Sequence, residues 1–141
     1  MRIEVVVLGC KSSFSSADGI SDQAEYSVQL YYRGENGKTN IVVAEGVDQI
    51  EAMNLACRKM LHDCGVELNG TMLAAHYLNV TKNSETALFR YDLQWNFANG
   101  KARDVKMSVG EDKDLPIAIL KAIADFFGKF QNADIKLAFR A

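Results

Sequence analysis

The sequence predicts an α+β fold of two pseudo-symmetric βββα repeats, each with an antiparallel sheet and one helix. Two similar segments predict the repetition: YSVQLYYRGENGK begins at Tyr26, and YDLQWNFANGK begins at Tyr91. Alternating residues in each segment are followed by a turn, another strand-like run and a helix-like run. The alternative is chance recurrence of a common βββα order. The shared Tyr, Gln and Asn-Gly-Lys positions favour duplication, so we expect one domain over residues 1–141, with repeats at about 1–68 and 69–141.

The first repeat begins with three predicted strands. Residues from Arg2 to Gly9 are rich in β-branched side chains, and a Ser/Gly/Asp-rich loop follows them. From Tyr26 to Arg33 apolar and polar residues alternate, which is typical of a half-buried strand. Asn36-Gly37 predicts a tight hairpin turn, because these residues tolerate positive φ angles. The run from Ile41 to Ala44 predicts the returning strand.

A helix follows these strands, because the apolar spacing changes from two residues to three and four. Asp48 and Glu51 predict a capping box at its start, and Gly65 is placed to end it. The apolar residues at helical spacing are Ile50, Met53, Cys57, Met60, Leu61 and Cys64.

The second repeat has the same predicted order. Residues from Met72 to Val80 predict a strand, and Asn99-Gly100 predicts the hairpin turn between two further strands. A helix is predicted from about Leu115, with Asp114 as its cap and Pro116 in its first turn. The segment DIKLAF predicts a short final strand. The alternating residues of the second and third strands are Phe89, Tyr91, Leu93, Trp95 and Phe97, then Val105, Met107 and Val109.

The second helix carries more apolar residues than one face can hold. One stripe would cover the sheet: Leu115, Ile119, Ile123, Phe126 and Phe130. A second stripe would then remain for a partner, so the sequence predicts a homodimer through this helix. The predicted dimer contacts are Ile117, Leu120, Ala124 and Phe127.

Composition and charge exclude several classes of protein. Hydrophobic residues make up 48% of the chain and charged residues 24%, which is the balance of one globular domain. The formal net charge is -2, and the Lys and Arg residues are scattered, which argues against nucleic-acid binding. Val7 to Cys10 resembles a lipoprotein signal, but the run is short and Glu4 interrupts it, so a first strand is the better interpretation. We expect a cytoplasmic protein that does not bind membranes.

Catalytic and metal-binding patterns are not found in the sequence. Cys10, Cys57 and Cys64 predict reduced core thiols, because His62 and His76 lack the paired spacing of a zinc site. The chain contains no phosphate-binding loop, zinc-protease helix motif or nucleophile elbow. GEDKD at residues 110–114 resembles part of a calcium loop, but a helix follows at once, which favours a helix cap. We therefore predict no catalytic residue, no metal and no cofactor.

Two glycines stand where a strand gives way to a helix. Free N–H groups and the positive end of the helix dipole after Gly46 and Gly110 would suit a carboxylate. Three acids nearby, Asp48, Asp112 and Asp114, could meet an ammonium group. This charge pattern suits a zwitterionic amino acid, and ordinary turns and helix caps are the alternative.

These junctions resemble the regulatory, dimerising C-terminal domain of the 2-isopropylmalate synthase and citramalate synthase family. GVDQIEA at Gly46 to Ala52 is similar to the family's G-x-G-P-[VI]-D-A, with Asp48-Gln49 in place of Gly-Pro. GEDKDLPIAILKA at Gly110 to Ala122 is similar to G-x-D-x-D-[IL] followed by A-S-L-x-A, with Ile in place of the Ser. HYLNV at His76 to Val80 and SETA at Ser84 to Ala87 stand at the family's Y-x-x-H-A and G-x-x-A segments.

The resemblance covers about residues 25–130 and implies a homodimer that binds leucine or isoleucine as a feedback effector at the dimer interface. The family's catalytic (β/α)₈ barrel does not fit in this chain, so the resemblance implies a regulatory module without synthase activity. The alternatives are a structural interaction domain that has lost the effector pocket, and a small enzyme that uses Asp112 or Asp114. The effector residues that the resemblance implies are Gly46, Asp48, Ala52, His76, Val80 and Ala87.

Overall fold

A computed structural model of the chain describes residues 2–16, 24–66, 72–99 and 102–138. Within these ranges it has seven strands in two largely antiparallel sheets and two helices, so the predicted α+β class is confirmed. The elements are, in order, β1 (Ile3–Ser16), β2 (Ala24–Arg33), β3 (Thr39–Gly46), α1 (Gln49–Asp63), β4 (Met72–Lys82), β5 (Phe89–Asn99), β6 (Ala102–Asp112), α2 (Leu115–Phe130) and β7 (Ala133–Leu137).

The chain divides into two compact units. The first contains β1, β2, β3, α1 and β7, and the second contains β4, β5, β6 and α2. The sequence predicts this final strand within the range of the second repeat, about residues 69–141. Instead β7 pairs with β1 in parallel, from Ile3 opposite Ala133 to Val7 opposite Leu137. The physical reason is burial, because Ala133 and Ile135 alternate into the core of the first unit.

The first sheet has the strand order β3-β2-β1-β7, and α1 packs on β3 and β2. Val28 and Leu30 alternate into the core from β2, as the sequence pattern predicted. Helix α1 begins where expected, since Asp48 Oδ1 accepts a hydrogen bond from the Glu51 N–H at 2.8 Å. It ends at Asp63 with Cys64 as its cap, and Gly65 follows with a φ of +82°, a conformation that favours glycine.

The second sheet has the order β4-β5-β6, and α2 packs on β6 and β5. The aromatic stripe of β5 is confirmed where the structure describes its side chains. Trp95 is fully buried and stacks on Phe126, with ring centroids 4.0 Å apart. Its Nε1 donates to Ser108 Oγ at 2.8 Å, so the buried indole N–H has an acceptor.

The two predicted stripes of α2 are not separated as the sequence suggested. Phe127, assigned to the partner-facing stripe, also contacts Trp95, with ring centroids 5.8 Å apart. Leu120 and Phe127 are fully buried within the single chain, whereas Ile117 and Ala124 keep part of their surface. Of the four predicted dimer contacts, only Ile117 and Ala124 therefore present surface that a second copy could cover.

Strand β6 has an unexpected orientation. Its small or polar residues Ser108 and Gly110 are buried, whereas Val105 and Met107 are exposed by 55% and 49%. The cause is the closeness of α2, because a Cβ on Gly110 would lie 2.3 Å from the Ala118 carbonyl oxygen. The alternating pattern therefore predicted the strand correctly but did not show which face meets the helix.

Candidate functional site

Three of the predicted effector residues meet at the junction of β3 and α1. A Cβ added to Gly46 would lie 2.7 Å from the main-chain nitrogen of Ala52, so glycine is needed here for space. The Ala52 N–H donates to the Asp48 carbonyl oxygen at 3.1 Å. The predicted position of Gly46, where a strand gives way to a helix, is thus confirmed.

The same junction is less suited to a ligand carboxylate than the sequence indicated. The Asp48 side chain already accepts the Glu51 N–H, and its negative charge sits at the positive end of α1. An incoming carboxylate would meet this like charge. We conclude that Asp48 acts first as a helix cap.

At the second junction, after Gly110, the nearby acidic side chains already have local hydrogen-bond partners. Asp114 Oδ1 accepts the Ile117 N–H at 3.3 Å and caps α2. Asp112 accepts the Asp114 N–H at 2.9 Å and pairs with Lys121 Nζ at 2.8 Å. Burial raises the pKa of the Asp112 carboxyl, but these hydrogen bonds outweigh burial, and the net effect lowers the pKa.

These contacts favour the predicted helix cap over a metal loop at residues 110–114. Asp112 stays ionised and engaged, which is a poor state for a general acid. In the ranges that the structure describes, no group of three His, Cys, Asp or Glu side chains is arranged to hold a metal ion.

The remaining predicted effector residues lie in the second unit, on β4 and in the turn that follows it. Val80 pairs with Tyr91 and is 39% exposed. Ala87 has a φ of 58° and donates its N–H to the Asn83 carbonyl oxygen at 2.9 Å. His76 is opposite Gln94 in the sheet, and its side chain is outside the described residues. Val80 and Ala87 thus lie at one end of the second sheet.

A concavity of about 400 Å³ opens at this end of the sheet. Asn83 Oδ1 shapes its turn by accepting the N–H groups of Glu85 and Thr86 at 2.9 and 3.2 Å. We call it the β4–β5 pocket, and it is lined by Thr81, Asn83, Thr86, Leu88, Arg90 and Glu111.

The β4–β5 pocket contains both charges that an amino acid requires. Arg90 Nη1 lies 3.7 Å from Glu111 Oε1, and Arg90 Nε lies 3.2 Å from Asp92 Oδ1. The Arg90 and Glu111 side chains are 53% and 47% exposed, so their long contact contributes little stability. A ligand with a carboxylate and an ammonium group could replace it at small cost. Sequence reasoning missed this pair, although the register of the β5–β6 hairpin places the two residues opposite each other.

A second concavity, of about 440 Å³, lies in the first unit at the end of α1. The Tyr32 hydroxyl donates to Asp63 Oδ2 at 3.2 Å. Burial and the Asp63 charge raise the pKa of Tyr32 to about 12. Burial, with Asp63 and Glu35 nearby, also raises the pKa of the Cys64 thiol, so this sulfur is a poor nucleophile at neutral pH. The lining residues are Tyr32, Gly34, Glu35, Asn36, Asn40, Asp63 and Cys64.

Comparison with protein-family models and with curated proteins gives no match for this chain. Neither of the helices that the structure describes is long and apolar enough to cross a membrane.

Proposed function

We propose that the chain is a non-catalytic regulatory module in which two βββα repeats form a homodimer and bind a small amino-acid effector. One observation supports the internal repeat on which this proposal rests. Tyr26 and Tyr91, which begin the two similar segments, pair with Gly46 and Gly110 respectively. Both glycines end or nearly end the third strand of their unit and lie against the following helix without room for a Cβ.

A second equivalence supports the same proposal. Lys59 Nζ on α1 donates to the Val43 carbonyl oxygen at 3.1 Å. Asp125 Oδ2 on α2 accepts the Val109 N–H at 3.0 Å. Lys59 and Asp125 stand at the same distance from the start of their helices, and each bonds to the backbone of the third strand in its own unit. The two side chains carry opposite charge.

The β4–β5 pocket is the place where we propose that the effector binds. Arg90 would hold the carboxylate and Glu111 the ammonium group. Leu88 supplies an apolar contact for a short side chain, and Val80 and Ala87 lie beside the pocket. This arrangement supports an amino acid as the ligand. The branched-chain type follows from the family resemblance and is part of the proposal.

Thermal unfolding and calorimetry across amino acids and branched 2-oxo acids test this proposal. A ligand at one hundred times its dissociation constant stabilises the folded state by about 2.7 kcal/mol. We expect Arg90→Gln to weaken binding of every ligand that the parent chain binds. Glu111→Gln should weaken amino acids but spare the 2-oxo acids, which lack the ammonium group. Lys82→Gln, an exposed change at the same end of the sheet, is the matched control and should leave binding unchanged.

A structural interaction domain without an effector is the second candidate. The Asp48 carboxylate favours it, because this side chain stands at the helix start where the family resemblance implies an effector contact. A flat response across the whole ligand panel, from a chain that is folded and dimeric, would support this candidate over the first. The small-enzyme alternative is weakened by the engagement of Asp112 and Asp114 in local hydrogen bonds.

A further inference from the structure

The part of the β4–β5 pocket that is left for the side chain of an effector is mostly polar. Arg90 and Glu111 are assigned to the two charges that every amino acid carries, so the other lining residues meet its side chain. Three of these four residues carry a hydroxyl or an amide, and the fourth is apolar: Thr81, Asn83, Thr86 and Leu88. The chemistry of the pocket therefore bears on which amino acid it binds.

Asn83 presents a hydrogen-bond donor to this pocket. Its Oδ1 accepts the N–H groups of Glu85 and Thr86 at 2.9 and 3.2 Å, which commits the oxygen to the turn. A side-chain amide has one oxygen and one NH2 group, so the Nδ2 group is what Asn83 has left for a ligand. The matching group on the ligand is a hydrogen-bond acceptor.

The two threonines add hydroxyls that can donate or accept a hydrogen bond. Thr81 is opposite Arg90, and Arg90 is opposite Glu111, so these three side chains share one face of the second sheet. Thr86 Oγ1 accepts the Leu88 N–H at 3.4 Å and keeps its own hydrogen to donate. The hydroxyls can therefore bind either the oxygen or the NH2 group of an amide.

The charges at the pocket disfavour a second carboxylate on the ligand. Among the six lining residues that the structure describes, Arg90 is the only cation, and it already lies 3.2 Å from Asp92 Oδ1 and 3.7 Å from Glu111 Oε1. Lys82 Nζ lies 5.3 Å from the centre of the Phe89 ring, in the next row of the sheet, where side chains point to the other face. An acidic ligand side chain would thus meet Asp92 and Glu111 without a cation of its own.

We propose that the effector of the β4–β5 pocket is an amino acid whose side chain ends in a carboxamide, the chemistry of asparagine and glutamine. Its carbonyl oxygen would accept a hydrogen bond from Asn83 Nδ2, and its NH2 group would donate to the hydroxyl oxygen of Thr81 or Thr86. A branched aliphatic side chain of the same size would contact Leu88 but would cover these polar groups without giving them partners. This inference rests on the proposed function for the place of the site, and it replaces the branched-chain side chain that the family resemblance implies.

Calorimetric titration of the full chain with asparagine, aspartate and leucine tests this inference. These three side chains have nearly the same shape and differ in chemistry, and glutamine supplies the longer carboxamide. We expect asparagine or glutamine to bind about tenfold more tightly than leucine and aspartate, which is the change that one good hydrogen bond produces.

Thr81→Val tests the assignment to this pocket, because it removes a hydroxyl and keeps a β-branched strand residue of the same shape. We expect the variant to bind the carboxamide about five- to tenfold more weakly and to bind leucine no more weakly than the parent chain does. Thr39→Val is the matched control, since Thr39 is also an exposed strand threonine opposite an arginine, Arg33, but lies in the first sheet.

A carboxamide preference that Thr81→Val reduces and Thr39→Val leaves intact supports the inference. Three results overturn it while the proposed effector site stands: leucine that binds as tightly as the carboxamides, aspartate that binds more tightly, or a carboxamide preference that Thr81→Val does not change. Failure of all four amino acids to bind also overturns it, and the wider thermal-unfolding panel then decides whether the chain binds an effector of another kind.

Discussion

Single residues in this chain are most constrained at the two glycines that contact helices. Neither requires a positive φ, since the glycines with that conformation in the described ranges are Gly37 and Gly65. Gly46 and Gly110 are required because a Cβ at either position would lie too close to helix backbone atoms, and the overlap is larger at Gly110. The added Cβ would lie 2.7 Å from a backbone nitrogen at Gly46, but 2.3 Å from two backbone atoms of α2 at Gly110.

We therefore expect Gly110→Ala to destabilise the fold by roughly 1–3 kcal/mol and Gly46→Ala by less. Valine at either position should cost more than alanine, because the backbone atoms that the Cβ meets cannot rotate away. Urea denaturation measures these differences. Gly9→Ala is the control, since its Cβ would make an ordinary 3.4 Å contact with the Tyr31 ring. Equal stability of the Gly110→Ala and Gly9→Ala chains would contradict this account.

At the scale of elements, α2 shows how burial changes the meaning of a substitution. The sequence assigns Leu120 to a stripe that a partner covers, and on that assignment Leu120→Lys would weaken association. In the structure Leu120 is fully buried within one chain, and Ile117 on the same stripe is only part-buried. The first effect of a charge at position 120 is thus on folding.

We expect Leu120→Lys to lower the free energy of unfolding on the order of 3–5 kcal/mol, because an ammonium group would be buried without a partner. Ile117→Lys should lower the free energy of unfolding much less, because position 117 is only part-buried and the long lysine side chain can reach water from there. Thermal and urea unfolding at low protein concentration separate this effect from association. A Leu120→Lys chain that keeps the parent's stability and only dissociates would restore the original assignment of the α2 stripe.

For the molecule as a whole, the final strand links the end of the chain to its beginning. Residues of β7 complete the first sheet beside β1, although the entire second unit lies between them in sequence. Ile135 is 8% exposed there, and Ala138 donates its N–H to the Val7 carbonyl oxygen at 2.9 Å.

Ile135→Ala should lower stability by about 2–5 kcal/mol through loss of buried apolar contacts. Hydrogen exchange should then show faster opening in β1 and β2 than in β5 and β6, because β7 belongs to the first unit. Lys136→Ala is the control, since the Lys136 ion pair with Glu4 is exposed and contributes about 0–1 kcal/mol. Faster exchange confined to the second unit would show that β7 had been placed in the wrong sheet.

Local patterns were sufficient to predict the order of the elements of this chain, but not the length of β1, which continues past Gly9 to Ser16 through residues that the sequence predicted as a loop. The alternation in β2 and β5, the Asp48 and Asp114 caps and the Gly65 stop all depend on residues within a few positions of one another. The position of Gly46 between a strand and a helix was also visible in the sequence, whereas its close approach to Ala52 is seen only in the structure. The α+β class follows from the order of these local signals.

Contacts between distant residues decided the rest. Which face of β6 meets α2 depends on how closely the helix approaches Gly110, and which sheet receives β7 depends on pairing with β1. The β4–β5 pocket depends on a cross-strand pair, Arg90 and Glu111, that comes together only when the hairpin forms. An alternating sequence pattern predicts a strand, but it does not show which helix covers that strand or which strand pairs with it. Burial and strand pairing depend on contacts between elements that are distant in the chain, and neighbouring positions carry no record of those contacts.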